Sequence, residues 1–144
     1  MFPAEPLPPC LCEALRRAAR TVTRMYDDAL RPAHLRTTQF SLLGYLSQTS
    51  DVRVCDLAAA LQLDDTTLPR NLRPLDKRGL VKVRQGSNRR EKRVSITPAG
   101  RRILAGAAPL WIAAQERLKS RVRATDWAAA FRALPRIAEA TSVP

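Results

Sequence analysis

From Asp51 to Gly100 the chain changes its hydrophobic period in an order that leaves little choice of fold. Leu57, Ala58 and Leu61 recur at helical spacing and Gln62 to Asp64 offers a turn. Leu68, Leu72 and Leu75 then repeat at steps of four and three, as one face of a second helix requires. Leu80 to Gln85 and Arg93 to Ile96 alternate instead with the period of two expected of strands. Val81 and Val83 are thus set to face Val94 and Ile96 across a loop from Gly86 to Lys92. Two helices joined by a short turn and followed by a hairpin predict a winged helix-turn-helix. Asp51 to Val54 offers a short edge strand. Asp64 or Asp65 is expected to cap the second helix, which Pro69 and Pro74 should leave irregular or kinked.

Helical patterns flank this lobe on both sides. After a head from Met1 to Pro9 that is expected to be mobile, Leu11, Leu15, Ala18, Val22, Met25 and Ala29 form one stripe, with Arg16, Arg17, Arg20 and Arg24 between them. Pro32 should end that helix, and Thr37 or Thr38 should cap another through Phe40, Leu43 and Leu46. Thr97 followed by Pro98 is a strong helix start, leading into a stripe of Ile103, Ala107, Leu110, Trp111, Ala114, Leu118 and Val122. Thr125 is expected to cap a last helix carrying Trp127, Phe131, Leu134 and Ala138, with Pro135 breaking it. The expected fold is therefore mainly α with a small antiparallel β wing. Residues 10–144 make a single domain, within the usual size for 144 residues. In it, 51–97 form the winged lobe, while 10–48 and 98–144 supply helices whose apolar stripes exceed what the lobe can cover. Those stripes predict homodimerisation, against the alternative of a single-chain bundle.

The chain carries a formal charge of +12, from 25 Lys and Arg against 13 Asp and Glu. The excess is concentrated: ten basic residues against two acidic ones lie between Arg70 and Arg93. Such density suits a polyanion, and each neutralised phosphate releases counterions. On the entering helix, Thr66, Thr67, Arg70, Asn71 and Arg73 are the candidates to meet double-stranded DNA. Arg suits guanine and Asn suits adenine. At the wing tip, Asn88, Arg89 and Arg90, with Lys92 beside them, are placed to reach a narrow minor groove. A nonspecific chromosome-packing or RNA-binding protein is the rival, since electrostatics is blind to sequence. RNA stacking would favour aromatics, and Asp51 to Gly100 has none.

Asp56-Leu57-Ala58, Thr66-Thr67-Leu68 with Arg70-Asn71-Leu72, Leu75 with Gly79-Leu80-Val81, and Ile96-Thr97-Pro98-Ala99-Gly100 together resemble the MarR family of winged-helix bacterial regulators. The resemblance runs from Cys10 to about Leu134. It implies a homodimer on a pseudo-palindromic operator with half-sites about one helical turn apart, usually a repressor released by a ligand or oxidant. One departure falls in the wing, where the family's Asp-x-Arg is replaced by Asn88-Arg89-Arg90. Asn88 can accept a hydrogen bond without charge, and Arg90 keeps the groove-reaching role. An acid at position 65 and Pro69 are further departures, unusual in a helix that faces phosphate.

Leu11-Cys12-Glu13-Ala14-Leu15 resembles the first-helix segment of the organic hydroperoxide repressors, a MarR branch whose matching cysteine senses oxidant. This marks Cys12, with Cys10, as a candidate redox sensor, although of that branch's tyrosines only Tyr26 is kept. On an ideal helix Cys10 and Cys12 point roughly 200° apart, so a bridge between them requires Cys10 to lie outside the helix. The competing expectation is that the cysteines are small buried apolar residues. Tyr26, Phe40 and Trp111 are candidates to line a crevice for a small organic effector, against the simpler reading that they are core. A soft-metal site from Cys10, Cys12 and Cys55 lacks any conventional ligand spacing, and His34 reads as a solvated loop residue. No cofactor is expected, and no assembled set of nucleophile, base and acid points to an enzyme. No apolar run approaches the ~20 residues of a membrane span, and the three cysteines fit a reducing, cytoplasmic setting.

Overall fold

The computed structural model describes residues 7–64 and 66–141. The first six residues of the expected mobile head and Asp65, one of the two predicted caps, lie outside the described residues. The chain runs through α1 (Leu11–Leu30), a 3₁₀ turn (Arg31–Ala33), α2 (Thr37–Ser47), β1 (Val52–Arg53), α3 (Val54–Ala60) and α4 (Thr67–Lys77). It continues through β2 (Val81–Gln85), β3 (Lys92–Ile96), α5 (Pro98–Arg121) and α6 (Ala124–Thr141). This is the mainly helical, winged arrangement read from the sequence.

The three strands are antiparallel in the order β1-β3-β2. Val81 pairs with Ile96 and Val83 with Val94, the predicted register, and the short segment after Asp51 joins the free edge of β3. Leu57 and Ala58 of α3, Leu68, Leu72 and Leu75 of α4, and Val81, Val94 and Ile96 of the sheet share one core with Leu30, Leu35, Leu42, Leu43, Leu46 and Ala107. Each fully buried leucine contributes about 2 kcal/mol by leaving water, which explains why the leucine periodicity dictates the topology.

Several helix ends differ from expectation. Arg36, not a threonine, is the N-cap of α2. Gln39 Oε1 reaches back to accept from the Arg36 amide at 3.0 Å, and the Thr37 amide donates to Asp27 Oδ1 of α1 at 2.7 Å. Asp27 thus does for α2 from a neighbouring helix what a local cap would do. Thr125 lies inside α6, whose first turn closes by Trp127 N donating to the Arg123 carbonyl at 2.9 Å. Pro135 does not break α6, and Pro74 does not interrupt α4. Pro69 is the third residue of α4, where a backbone N–H has no partner within the helix, so it costs no hydrogen bond.

α4 closes with Gly79 at φ +68°. Its amide donates to the Asp76 carbonyl at 2.9 Å and that of Leu80 donates to Leu75 at 2.9 Å. This is a Schellman ending, which a glycine adopts without steric cost. α5 then starts where Gly79 and Leu80 end that turn. The Thr97 amide donates to the Leu80 carbonyl at 3.1 Å, and at Gly100 a Cβ would collide with that same carbonyl oxygen. The Gly-Leu-Val and Ile-Thr-x-x-Gly segments, separate in sequence, are the two sides of one contact.

Candidate nucleic-acid interface

With Leu68, Leu72 and Leu75 turned inward, α4 leaves Thr66, Arg70 and Arg73 exposed and Thr67 and Asn71 half-buried. Asp64 fixes where this helix begins. Its Oδ1 accepts from the amides of Thr66 (2.9 Å) and Thr67 (2.6 Å) and from the Thr66 hydroxyl (2.7 Å). The Thr66 hydroxyl and the amides around it hold the Asp64 carboxyl well below the usual carboxylate range. The Thr66 hydroxyl is therefore engaged with Asp64.

The wing folds against the start of this helix. Arg90, Glu91 and Lys92 line a crevice of about 200 Å³ together with Leu68 and Pro69 of α4 and Val54, Cys55 and Ala58 of α3. Asn88, Arg89, Arg90 and Lys92 are all exposed. Asn88 Oδ1 accepts from the amides of Arg90 and Glu91, each at 3.0 Å, so its side-chain oxygen orders the tip and does not orient a guanidinium. The structure thus sets Arg90 and Lys92 of the wing beside Leu68 and Pro69 in the first turn of α4, the helix that carries the exposed Arg70 and Arg73.

Not all ten basic residues of the segment are available to a partner. Arg78 donates to the His34 carbonyl at 2.6 Å, and Arg84 and Arg93 are both bound to Asp51. Sequence density could not distinguish these structural cations from the exposed ones, because His34 and Asp51, which hold them, lie more than thirty residues away.

Residues 35–100 match a model of the winged helix DNA-binding domain. Over nearly the whole chain the fold is similar to a crystal structure of the M. tuberculosis transcriptional regulator MosR in complex with DNA. That similarity has a TM-score of 0.81 and 38% identity, and covers 94% of this chain and 100% of that one. It is also similar to a MarR-family transcriptional regulator from Rhodococcus sp. RHA1, at a TM-score of 0.76 and 26% identity, over 91% of this chain and 96% of that one. The chain belongs to the MarR family of winged helix-turn-helix transcriptional regulators. A further relative, an uncharacterised HTH-type transcriptional regulator YwoH of Bacillus subtilis, is 28% identical over 87 residues. That match spans 60% of this chain and 64% of the Bacillus protein's length.

Elsewhere in this MarR-family chain, all three cysteines are exposed, which overturns the expectation that they are buried apolar residues. Cys10 is the N-cap of α1 with extended backbone (φ −92°, ψ 118°), outside the helix that contains Cys12. Cys55 lies in α3 beside the wing, and among the described residues no group of three or more His, Cys, Asp or Glu is placed to hold a metal ion. Tyr26, Phe40 and Trp111 do come together. Trp111 stacks on Tyr26 with centroids 6.3 Å apart and on Phe40 at 5.7 Å, while the Tyr26 hydroxyl donates to Gln115 Oε1. Burial raises the Tyr26 phenol pKa. A surface groove of about 900 Å³ is lined by other residues, including Arg20, Arg24 and Asp27 of α1 and Arg36 at the start of α2. Among the described residues no helix is long and apolar enough to cross a membrane.

Proposed function

We propose that this regulator is a homodimeric, sequence-specific repressor of double-stranded DNA in the cytoplasm. α4 enters the major groove of each half of a pseudo-palindromic operator, and the wing reaches the adjacent minor groove. The observation that supports this reading is that Arg70 and Arg73 are exposed on the side of α4 away from its buried leucines, while Arg90 and Lys92 of the wing line a crevice beside Leu68 and Pro69 of the same helix. Thr67, Arg70, Asn71 and Arg73 are the candidates for base edges and phosphates, and Arg89, Arg90 and Lys92 are those of the wing. Thr66 and Asn88 act chiefly by shaping the two elements. Dimerisation is supported by α6, which has no buried residue and exposes Phe131 and Leu134, with Ile112 of α5 and Leu11 of α1 also exposed. Residues 10–48 and 98–144 are on this reading the dimerisation helices.

Two modes of release are proposed. In one, a small organic effector enters beside the Tyr26, Trp111 and Phe40 stack. The other is favoured by the exposed Cys10 and Cys12. A hydroperoxide oxidises the Cys12 thiolate to a sulfenic acid and leaves as the alcohol, and the Cys10 thiol then condenses with it to a disulfide and water. Peroxide should release the unaltered protein from DNA and not the C12S variant.

Selection of the purified protein against random duplex DNA at ~150 mM salt tests the main reading. Enrichment of an inverted repeat with half-sites about one turn apart is expected. Salt-sensitive binding with no enriched sequence would instead indicate a nonspecific nucleic-acid protein, and failure to bind duplex would point to RNA.

A further inference from the structure

Each strand of the sheet carries an arginine at one shared register. Arg53 of β1 pairs with Arg93 of β3, and Arg93 pairs with Arg84 of β2. Cross-strand partners project from the same face, so three guanidinium groups stand in a row, and like charges directly opposite one another weaken a sheet. Three carboxylates answer them. Asp56 binds Arg53 through two bonds of 2.8 and 3.2 Å. Glu91 Oε1 accepts from Arg93 Nη1 at 3.3 Å, while its Oε2 accepts from Ser87 Oγ of the wing at 3.1 Å.

The third, Asp51, lies outside the hairpin, immediately before β1. Its Oδ2 accepts from Arg84 Nη2 at 2.6 Å and from Arg93 Nε, and its carbonyl accepts from Arg93 Nη2 at 3.0 Å. One carboxylate therefore ties both stem strands of the wing to the segment that leads into α3. The Asp51 side chain is 24% exposed and its Oδ1 is buried, so the bridge is screened less than a surface ion pair.

We infer that Asp51 is a positioning residue that sets the angle of the wing against α4 and thereby the selectivity of DNA recognition, an inference that rests on the DNA-binding reading. Its removal has two consequences of opposite sign. The stem arginines repel and the wing tip loses its fixed placement, which weakens contacts that depend on register. At the same time a negative charge disappears and Arg84 is freed beside a polyanion, which strengthens sequence-blind attraction. Loss of folding alone would weaken both kinds of binding.

The test compares the unaltered full chain with D51N and D51E. Three quantities are measured: affinity for the selected operator, affinity for a scrambled duplex of equal length, and the rate of tryptic cleavage after Arg89 and Arg90 in the free protein. For D51N, operator affinity should fall about tenfold, scrambled-duplex affinity should hold or rise, and wing cleavage should speed up with little change in melting temperature. D51E, which keeps the charge, should recover most of the ratio. An unchanged ratio, or an equal loss on both duplexes, overturns the inference. If the unaltered protein prefers no duplex, the DNA reading itself has failed. The cleavage rates then still decide the clamp, which equal rates for D51N and the unaltered chain would refute.

Discussion

The hydroxyl of Thr97 donates to the carbonyl of Gly79 at 2.6 Å. The same oxygen accepts from the Gly100 amide at 3.0 Å, so one side chain caps α5 and fastens it to the turn that ends α4. Loss of the hydroxyl removes a helix cap and a tertiary bond together. Thr97→Ala should destabilise the fold by about 1–2 kcal/mol, lowering the melting temperature by roughly 4–8 °C, and Thr97→Ser should recover most of the loss. Calorimetry of the three proteins decides it, and equal melting temperatures would remove Thr97 from this role.

Gly100 and Gly44 make opposite predictions for one substitution. A methyl at Gly100 meets the Leu80 backbone oxygen, which cannot move without displacing the sheet, whereas at Gly44, inside α2, nothing lies within 4 Å. Gly100→Ala should cost about 2–3 kcal/mol through overpacking. Gly44→Ala should gain about 0.5–1 kcal/mol, because alanine loses less backbone entropy in a helix. Denaturant midpoints with unchanged slopes are the measurement, and a shift of the same sign for both would contradict the packing described.

Arg90 tests the wing as a recognition element. It is exposed at the tip beside the crevice against α3 and α4, and among the described residues its guanidinium makes no hydrogen bond or ion pair that the fold would lose on truncation. Arg90→Ala should weaken operator binding by about 1–3 kcal/mol while circular dichroism and oligomeric state stay as they are. Unchanged affinity would take Arg90 out of the interface.

Asp64 makes the start of α4 sensitive to acid. Hydrogen bonds from Thr66 and Thr67 place its folded-state pKa below that of the unfolded chain. The ionised cap therefore contributes stability that is fully present above the unfolded carboxylate value, and that contribution is lost as pH falls through the folded one. Asp64→Asn should lower stability at neutral pH and flatten its decline on acidification. Thermal melts of both proteins from neutral pH downward measure the difference, and parallel curves would show that Asp64 is not the group responsible.

The periodicities at Leu68, Leu72, Leu75, Val81, Val83, Val94 and Ile96 were sufficient to place the two helices, the hairpin and its register. Burial of leucine and valine outweighs most local preferences, and its spacing is written directly in the chain. Which residues of α4 lie away from the core, Arg70 and Arg73 among them, was legible too, since it follows from knowing which face of the helix is apolar. Pro135 misled the reading, because a proline's cost depends on its place within a helix and on the packing around it. Capping misled it too: Asp27 holds the Thr37 amide ten residues away, and no local signal marks such a partner.

The sequence alone determined the order of elements and the side of α4 that faces outward, because both follow from the spacing of apolar residues. Only the tertiary structure decided which of the many arginines are available to a partner. Arg84 and Arg93 look no different in sequence from Arg89 and Arg90, yet Asp51, 33 and 42 residues away, binds the first pair, while the second stands exposed at the wing tip. Charge pairing is set by distance in space, and the chain states only distance along itself.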